Sequence, residues 1–399
     1  MSPWDAITRE VLDLAQDLIR IPSVSTLPAP RFDEVRRAGR LLQTYLAQNG
    51  LVTHWLDQGR TPALFAFFPG QEAPHVLWLG HFDVVNPEPD DRQFEPRIEG
   101  DYLWGRGAAD MKTVVATLAV WMAHRRRQGP PYPSLGALLI GNEEEGETYP
   151  VGTPHALNWL RARGAEPAFY IAGERTEETG TRAYGAICTH SRGASRLYFE
   201  ARGTRDHSGI ATARDLVARL VAAYHATQRL AQTHFTLSAP HDWVTQVRFP
   251  FFLAGQEGLY NITADRGVLG VEVRAIPEDD MAPFVQALTA YAEEHGLRLV
   301  AESVTDGVAV DPRNPYFQAL HAATRDAWGQ PAALCRKKPA SSIRYAPRDR
   351  GVVWGQSGWG PHRADERHYI PSIGPYYAAL QAYARRLVDM ASAADAATQ

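Results

Sequence analysis

Four apolar runs in this chain each lead straight into residues able to bind a metal or move a proton. VLWLG, ending at Gly80, is followed by His81-Phe82-Asp83. LGALLIG, ending at Gly141, is followed by Asn142-Glu143-Glu144-Glu145. AFYIAG, ending at Gly173, is followed by Glu174, and VVWGQSGWGP leads to His362. Short runs with no internal polar alternation read as strands buried on both faces. Ala63–Phe68, closed by Pro69-Gly70, is a further run of this kind. Helical patterns separate the runs, over Met111–Arg127 with its basic last turn and over Thr153–Arg163. Buried strands alternating with helices imply an α/β fold, a mostly parallel sheet with helices on both faces. In such a sheet ligands bind beyond the carboxyl ends of the strands, so the four polar clusters converge on one edge.

The middle of the chain has another rhythm. Ser195–Ala201 alternates, a helical pattern covers Ala211–Leu230, and Val247–Ala254 and Val268–Arg274 read as strands. Met281–His295 is helical and Leu297–Glu302 is a last strand. The order β-α-β-β-α-β is that of a ferredoxin-like unit. From about Asp311 the first rhythm resumes. The expected organisation is therefore an α/β domain in two parts, residues 1–191 and 304–399, interrupted by an inserted α+β domain at 192–303.

Composition narrows the function classes. The 399 residues suffice for two domains, and the net charge of -4 offers no basic footprint for nucleic acid. No apolar run approaches the ~20 residues of a membrane span. The first 25 residues mix charges into apolar positions, as an amphipathic helix does and a signal peptide does not. The two cysteines, Cys188 and Cys335, could pair only with each other. They exclude a disulfide scaffold and any cysteine-based zinc pattern, and point to a reducing, cytoplasmic setting.

Carboxylates gathered at one edge raise one another's pKa and resist ionisation, and a divalent cation removes the conflict. Imidazole and carboxylate ligands suit zinc, cobalt or manganese. In the His81-x-Asp83 pattern, alternation puts both side chains on one side, where Asp83 can take the proton of the ring nitrogen that faces away from the metal. Singly, each motif is an ordinary surface or helix-start pattern; it is their placement after successive core strands that points to a site.

Taken in order, these residues resemble the co-catalytic zinc hydrolases that include acetylornithine deacetylase, succinyl-diaminopimelate desuccinylase, aminoacylase-1, the cytosolic dipeptidases and glutamate carboxypeptidase. The match runs through LIRIPSVS, GHFDVV, LWGRGAADMK, GNEEEGE, AGERT, RGTRDHSG, the pair Asn261 and Arg274, and GPHRADE. The resemblance implies His81 and Glu174 as ligands of one metal, Glu144 and His362 as ligands of a second, and Asp110 as the bridging carboxylate. It implies Glu143 as general base, Asp83 as the residue orienting His81, and a cis peptide at Asp110–Met111. His207 resembles a histidine that reaches a neighbouring subunit's site, and Asn261, Arg274 and Arg344 resemble carboxylate-binding residues. The chain departs from the family pattern at three points. Asn142 stands where Asp is usual, Arg175 follows Glu174 where the desuccinylase-like pattern has proline, and Ser342 stands in a Ser-Asp position.

The implied activity is hydrolysis of an amide next to a free carboxylate, most simply in an N-acyl amino acid. A dipeptidase or carboxypeptidase is the near alternative, and a non-catalytic binding protein on the same fold the distant one. The insert is expected to act as a lid and, through its exposed edge strands, to pair two chains as a homodimer. Trp354 and Trp359, just before His362, are candidates for an acyl pocket or for core packing.

Overall fold

The computed structural model of the chain describes residues 5–147, 151–211 and 215–398. It divides into two compact units. The first comprises Met1–Thr189, Ala309–Lys337 and Ser341–Gln399, and the second comprises His190–Val308 and Lys338–Ala340. The second unit thus also includes a short return segment that the sequence pattern assigns to the last part of the first domain.

The first unit is built on a sheet whose centre is parallel. Leu135–Ile140, Val76–His81, Phe169–Ala172 and Gly351–Trp354 lie side by side in that order, all parallel. The margins are antiparallel: Thr61–Phe67 pairs with Leu135–Ile140, and Ile187–Ser191 pairs with Gly351–Trp354. All four central strands are buried along their whole length, which is why they read as unbroken apolar runs. Successive side chains point to opposite faces. Trp78, Leu139, Ile171 and Trp354 join a core shared with the helices Ala6–Ile19, Thr113–Arg127 and Ile373–Thr398. On the other face the helix Thr153–Arg161 sets Trp159 against the ring of Phe65. The helix Thr113–Arg127 is buried all round through its first three turns, so it shows almost no polar stripe.

Two features decide between readings that the sequence left open. Trp354 is fully buried and its ring lies 4.3 Å from that of Tyr376, so it belongs to the core and not to an acyl pocket. Cys188 and Cys335, which could pair only with each other, are bonded, a pairing that a reducing setting does not favour. Adjacent pairing of Leu334–Lys337 with Ile187–Ser191 brings them together. No helix among the described residues is long and apolar enough to cross a membrane.

The second unit has strands Ser195–Arg202, Gln246–Arg248, Phe252–Ala254, Arg266–Arg274 and Arg298–Ser303, with helices Leu216–His234 and Met281–Glu294. The run expected as one strand at Val247–Ala254 is split into two short ones, both antiparallel to Arg266–Arg274. Ser195–Arg202 sits between Arg266–Arg274 and Arg298–Ser303, antiparallel to both, as the β-α-β-β-α-β order requires. The helix expected over Ala211–Leu230 runs Leu216–His234, with Asp215 capping it through Val217 N; residues 212–214 of that expectation lie outside the described residues.

Candidate metal centre

Strand ends deliver the first group of donors. His81 closes Val76–His81 and is 1% exposed. Its Nε2 lies 3.2 Å from Asp110 Oδ1 and 3.7 Å from Glu174 Oε1. Its Nδ1 lies 3.0 Å from the backbone carbonyl of Asp83 and 3.4 Å from the Asp83 carboxylate. Asp83 therefore holds the ring from behind, and more closely through its carbonyl than through its side chain. The Asp83 carboxylate also ties neighbouring segments together. It accepts from Ser25 Oγ at 2.6 Å and from the amides of Glu143 and Glu144 at 3.2 and 3.0 Å. Glu174 follows Gly173, where a Cβ would lie 1.7 Å from the Trp78 ring; only glycine lets the chain pass that close.

The second group comes from loops. Asp110 sits in a tight turn before the helix Thr113–Arg127, with non-helical dihedrals at Asp110 and Met111 and a cis bond between them. Its Oδ1 faces His81 and its Oδ2 faces His362 Nε2 at 3.9 Å. His362 contacts Glu144 at 3.0 Å and has φ of 65°, an uncommon conformation for a residue with a Cβ. It lies on the connection between Gly358–Trp359 and Arg367–Tyr369, strands of a small antiparallel sheet. Glu366, on the same connection, accepts from the amides of Gly107, Ala109 and Asp110 and pairs with buried Arg106 at 2.6 Å. One buried carboxylate thus ties the His362 loop to the Asp110 turn. Leaving the Arg106 charge unpaired would cost about 3–5 kcal/mol.

The donor atoms of His81, Asp110 and Glu174 lie within 4.8 Å of one another, as do those of Asp110, Glu144 and His362. Electrostatics explains what such triads are for. Burial, and then the charge of Asp110, push Glu174 up to about 8. Burial also pushes Glu144 up to about 7, with Asp110 adding to it and His362 opposing. The hydrogen bond to Glu144 raises His362 to about 9. For His81, burial favours the neutral ring, but Asp110 and Asp83 outweigh it and raise the pKa well above the ordinary value. The groups share protons because their charges conflict. A divalent cation in each triad would replace those protons, and an imidazole–carboxylate donor set fits zinc, cobalt or manganese. The residues present fit divalent metal, and Asp110 is common to both donor groups.

Beside these triads stands Glu143, whose carboxylate receives Arg344 Nη1 at 3.1 Å. Arg344 Nη2 meets Glu147 at 2.9 Å. Glu147 is fully buried, with φ of 49°, and also accepts from Ser342 Oγ and from Thr153 N at 3.1 Å. Arg344 was expected to hold a substrate carboxylate. Both its terminal nitrogens meet carboxylates of this chain, those of Glu143 and Glu147. Ser342, standing where the family pattern has Asp, donates to Glu147, and that buried carboxylate is the one that meets Arg344.

The sequence profile of peptidase family M20/M25/M40 matches residues 77–386. The chain belongs to the M20 peptidase family. Among curated relatives, a succinyl-diaminopimelate desuccinylase from Bordetella bronchiseptica is 36% identical over 385 residues, covering 92% of this chain and 94% of the relative. One from Bordetella petrii is 28% identical over 374 residues, with the same coverage of both. Among solved structures, an M20 family metallo-carboxypeptidase from Sulfolobus solfataricus superposes with a TM-score of 0.72 at 14% identity, covering 95% of this chain and 99% of that one. The chain is thus an M20 family hydrolase with groups able to hold metal.

In this M20 protein the first unit brings together His81, Asp83, Asp110, Glu143, Glu144, Glu174, His362 and Arg344. The other three expected residues lie on the second unit. His207 is exposed, and its Nδ1 accepts from Gly209 N at 3.1 Å. Asn261 is exposed and its carbonyl accepts from Ser208 N, so it neighbours the His207 loop. Arg274 ends the strand Arg266–Arg274 and pairs with Glu272 at 2.6 Å. Trp359 donates to Asp365 at 3.0 Å, anchoring the loop that carries His362. Sequence reasoning assigned no role to Ser25, Arg106, Glu147 or Glu366. Each falls inside a motif that carried the resemblance, and motif membership was the signal that could have found them.

Proposed function

We propose that the protein hydrolyses the amide bond of an N-acyl amino acid, with two divalent cations, zinc foremost and cobalt or manganese as substitutes. His81, Asp110 and Glu174 would hold one, and Asp110, Glu144 and His362 the other. The observation that carries this reading is a single carboxylate, Asp110, shared between two donor triads beside the braced carboxylate of Glu143. When bound, such cations polarise a carbonyl and lower the pKa of a water toward neutrality. Glu143 takes the proton of the attacking water and returns it to the leaving nitrogen. Arg344, held by Glu147, keeps that carboxylate in place. Asn261 and Arg274 are assigned to the amino-acid carboxylate, and His207 to the developing oxyanion. The curated relatives, named desuccinylases and matched over most of their length, support a deacylase over a peptidase.

We assign the second unit to a lid and to homodimer formation, with His207 acting in the partner's site. Large apolar side chains stand exposed on it, including Phe252 and Leu253 on a strand at one edge of its sheet and Val217 and Val221 on a helix. Mixing inactive His207→Ala and Glu143→Ala chains should restore part of the activity. A mixture that exchanges subunits and stays inactive refutes the role in trans.

The test of the activity is a screen of N-acyl amino acids and dipeptides with zinc, cobalt and manganese. Release of free amine from acyl amino acids is expected. Turnover of dipeptides alone would replace the deacylase reading, and absence of both metal and turnover would leave a binding protein.

A further inference from the structure

Three arginines are buried around this centre, and they differ in how their charge is met. Arg106 pairs with Glu366 at 2.6 Å, and Arg344 pairs with Glu143 and Glu147. Arg175 makes no side-chain hydrogen bond among the described residues. It is 8% exposed, its Nε is buried without a partner, and its nearest acid is Asp110, with Nη1 3.7 Å from Oδ2. That separation is too long for a hydrogen bond.

The position of Arg175 is not left to chance. Its carbonyl accepts from buried Lys337 Nζ at 2.7 Å, and the next amide, Thr176 N, donates to Gln356 O at 3.0 Å. A Cβ on Gly355 would lie 2.2 Å from Glu174 O, so the two segments are pressed backbone to backbone. The guanidinium is therefore held beside Asp110 by a fixed main chain, with a second cation, Lys337, behind it. Lys337 has its own partner in Glu178 at 2.8 Å. Among the described residues Arg175 has only the distant Asp110, whose two oxygens face the two donor triads. Cations bound there would claim that charge. A buried guanidinium without an anion is destabilising, and the penalty is relieved if a ligand supplies the anion. The planar fork of arginine suits a carboxylate, which it binds through two parallel hydrogen bonds.

We propose that Arg175 determines acyl-group specificity by receiving a carboxylate carried on the acyl half of the amide, so that half-amides of short dicarboxylic acids are preferred over neutral acyl amides. The amino-acid carboxylate already has assigned receptors in Asn261 and Arg274, whereas Arg175 stands in the first unit beside the reacting centre. This inference rests on the amide-hydrolase reading above and names the substrate class of the same site.

Two readouts test it. The first needs no turnover: calorimetric titration of the metal-loaded protein with succinate and with butyrate, which differ by one carboxylate. Succinate should bind about 10- to 100-fold more tightly, the worth of a hydrogen bond to a charged group, and Arg175→Gln should close that gap. Arg175→Lys, which keeps the charge and loses the fork, should close it in part. The second compares kcat/KM for N-succinyl and N-butyryl derivatives of one amino acid, each with its amino-acid carboxylate free or amidated. Arg175→Gln should lower the succinyl-to-butyryl ratio by a similar factor at unchanged metal content. An unchanged ratio overturns the proposal. So does a loss that tracks the amino-acid carboxylate, which would place Arg175 on the leaving-group side. Should Arg175→Gln fail to fold or to hold metal, Arg175→Lys carries the comparison. If no amide is cleaved, the hydrolase reading falls, and the succinate–butyrate titration still decides whether Arg175 receives the extra carboxylate.

Discussion

The two donor triads that share Asp110 are built differently. His81 is 1% exposed, closes a central strand, and is backed by Asp83, which Ser25 and two backbone amides hold in turn. His362 has a side chain 54% exposed, rides on a loop in a left-handed conformation, and is kept in place through the nearby Glu366. One triad is pre-formed by the core; the other takes its histidine from a loop anchored through Glu366 and Asp365. A pre-formed donor set holds a cation at smaller ordering cost, so the His81 subsite should be the tighter of the two.

The largest effect should come from removing what the triads share. Metal analysis of the wild type should approach about two divalent ions per chain, and Asp110→Ala should strip most of both. Full retention of metal in that variant would show that the triads are independent and the comparison misplaced. Next is the base. Glu143→Ala should keep metal and fold and lose roughly 10²–10⁴-fold in turnover. Near-normal turnover would move proton transfer to another group, with Glu145 the next candidate.

A smaller substitution sharpens the contrast. Asp83→Asn should weaken the buried subsite by about 10- to 100-fold in metal affinity, since it changes the carboxylate behind His81, and should weaken the His362 subsite less, because there the same carboxylate holds only the backbone amide of Glu144. Equal loss at both, measured by competition with a chelator, would erase the proposed asymmetry. The smallest effect is on protons. Glu144 near 7, Glu174 near 8 and His362 near 9 must all be deprotonated to act as ligands. Metal uptake should therefore release protons, and affinity should rise with pH from below 7 to about 9, because protons compete at low pH. Uptake without proton release in weakly buffered solution would mean that the triads do not hold the cations.

The parallel centre of the sheet and the placement of the chemistry were legible in the chain. Strands buried on both faces leave little room for polar residues inside them, so His81 takes the last position of its strand and Glu143, Glu144 and Glu174 stand past the ends of theirs. The antiparallel margins were less legible, because an apolar run such as Thr61–Phe67 carries no mark of its partner's direction. The split of the strand expected at Val247–Ala254 was hidden for a similar reason: both halves have the composition of one strand.

What the sequence by itself determined is which residues could act, since strand burial and motif order are local properties read along the chain. Only the tertiary structure decided which of them meet. Arg344 finds Glu143 across 201 residues and Arg106 finds Glu366 across 260. Trp354 turns into the core and Cys188 meets Cys335. Arg175 is left beside Asp110 with no side-chain hydrogen bond among the described residues. Hydrophobic burial is non-directional and leaves its trace in composition and periodicity. A buried charge, in contrast, needs a partner at about 3 Å, and only the folded path of the chain places two side chains at that distance.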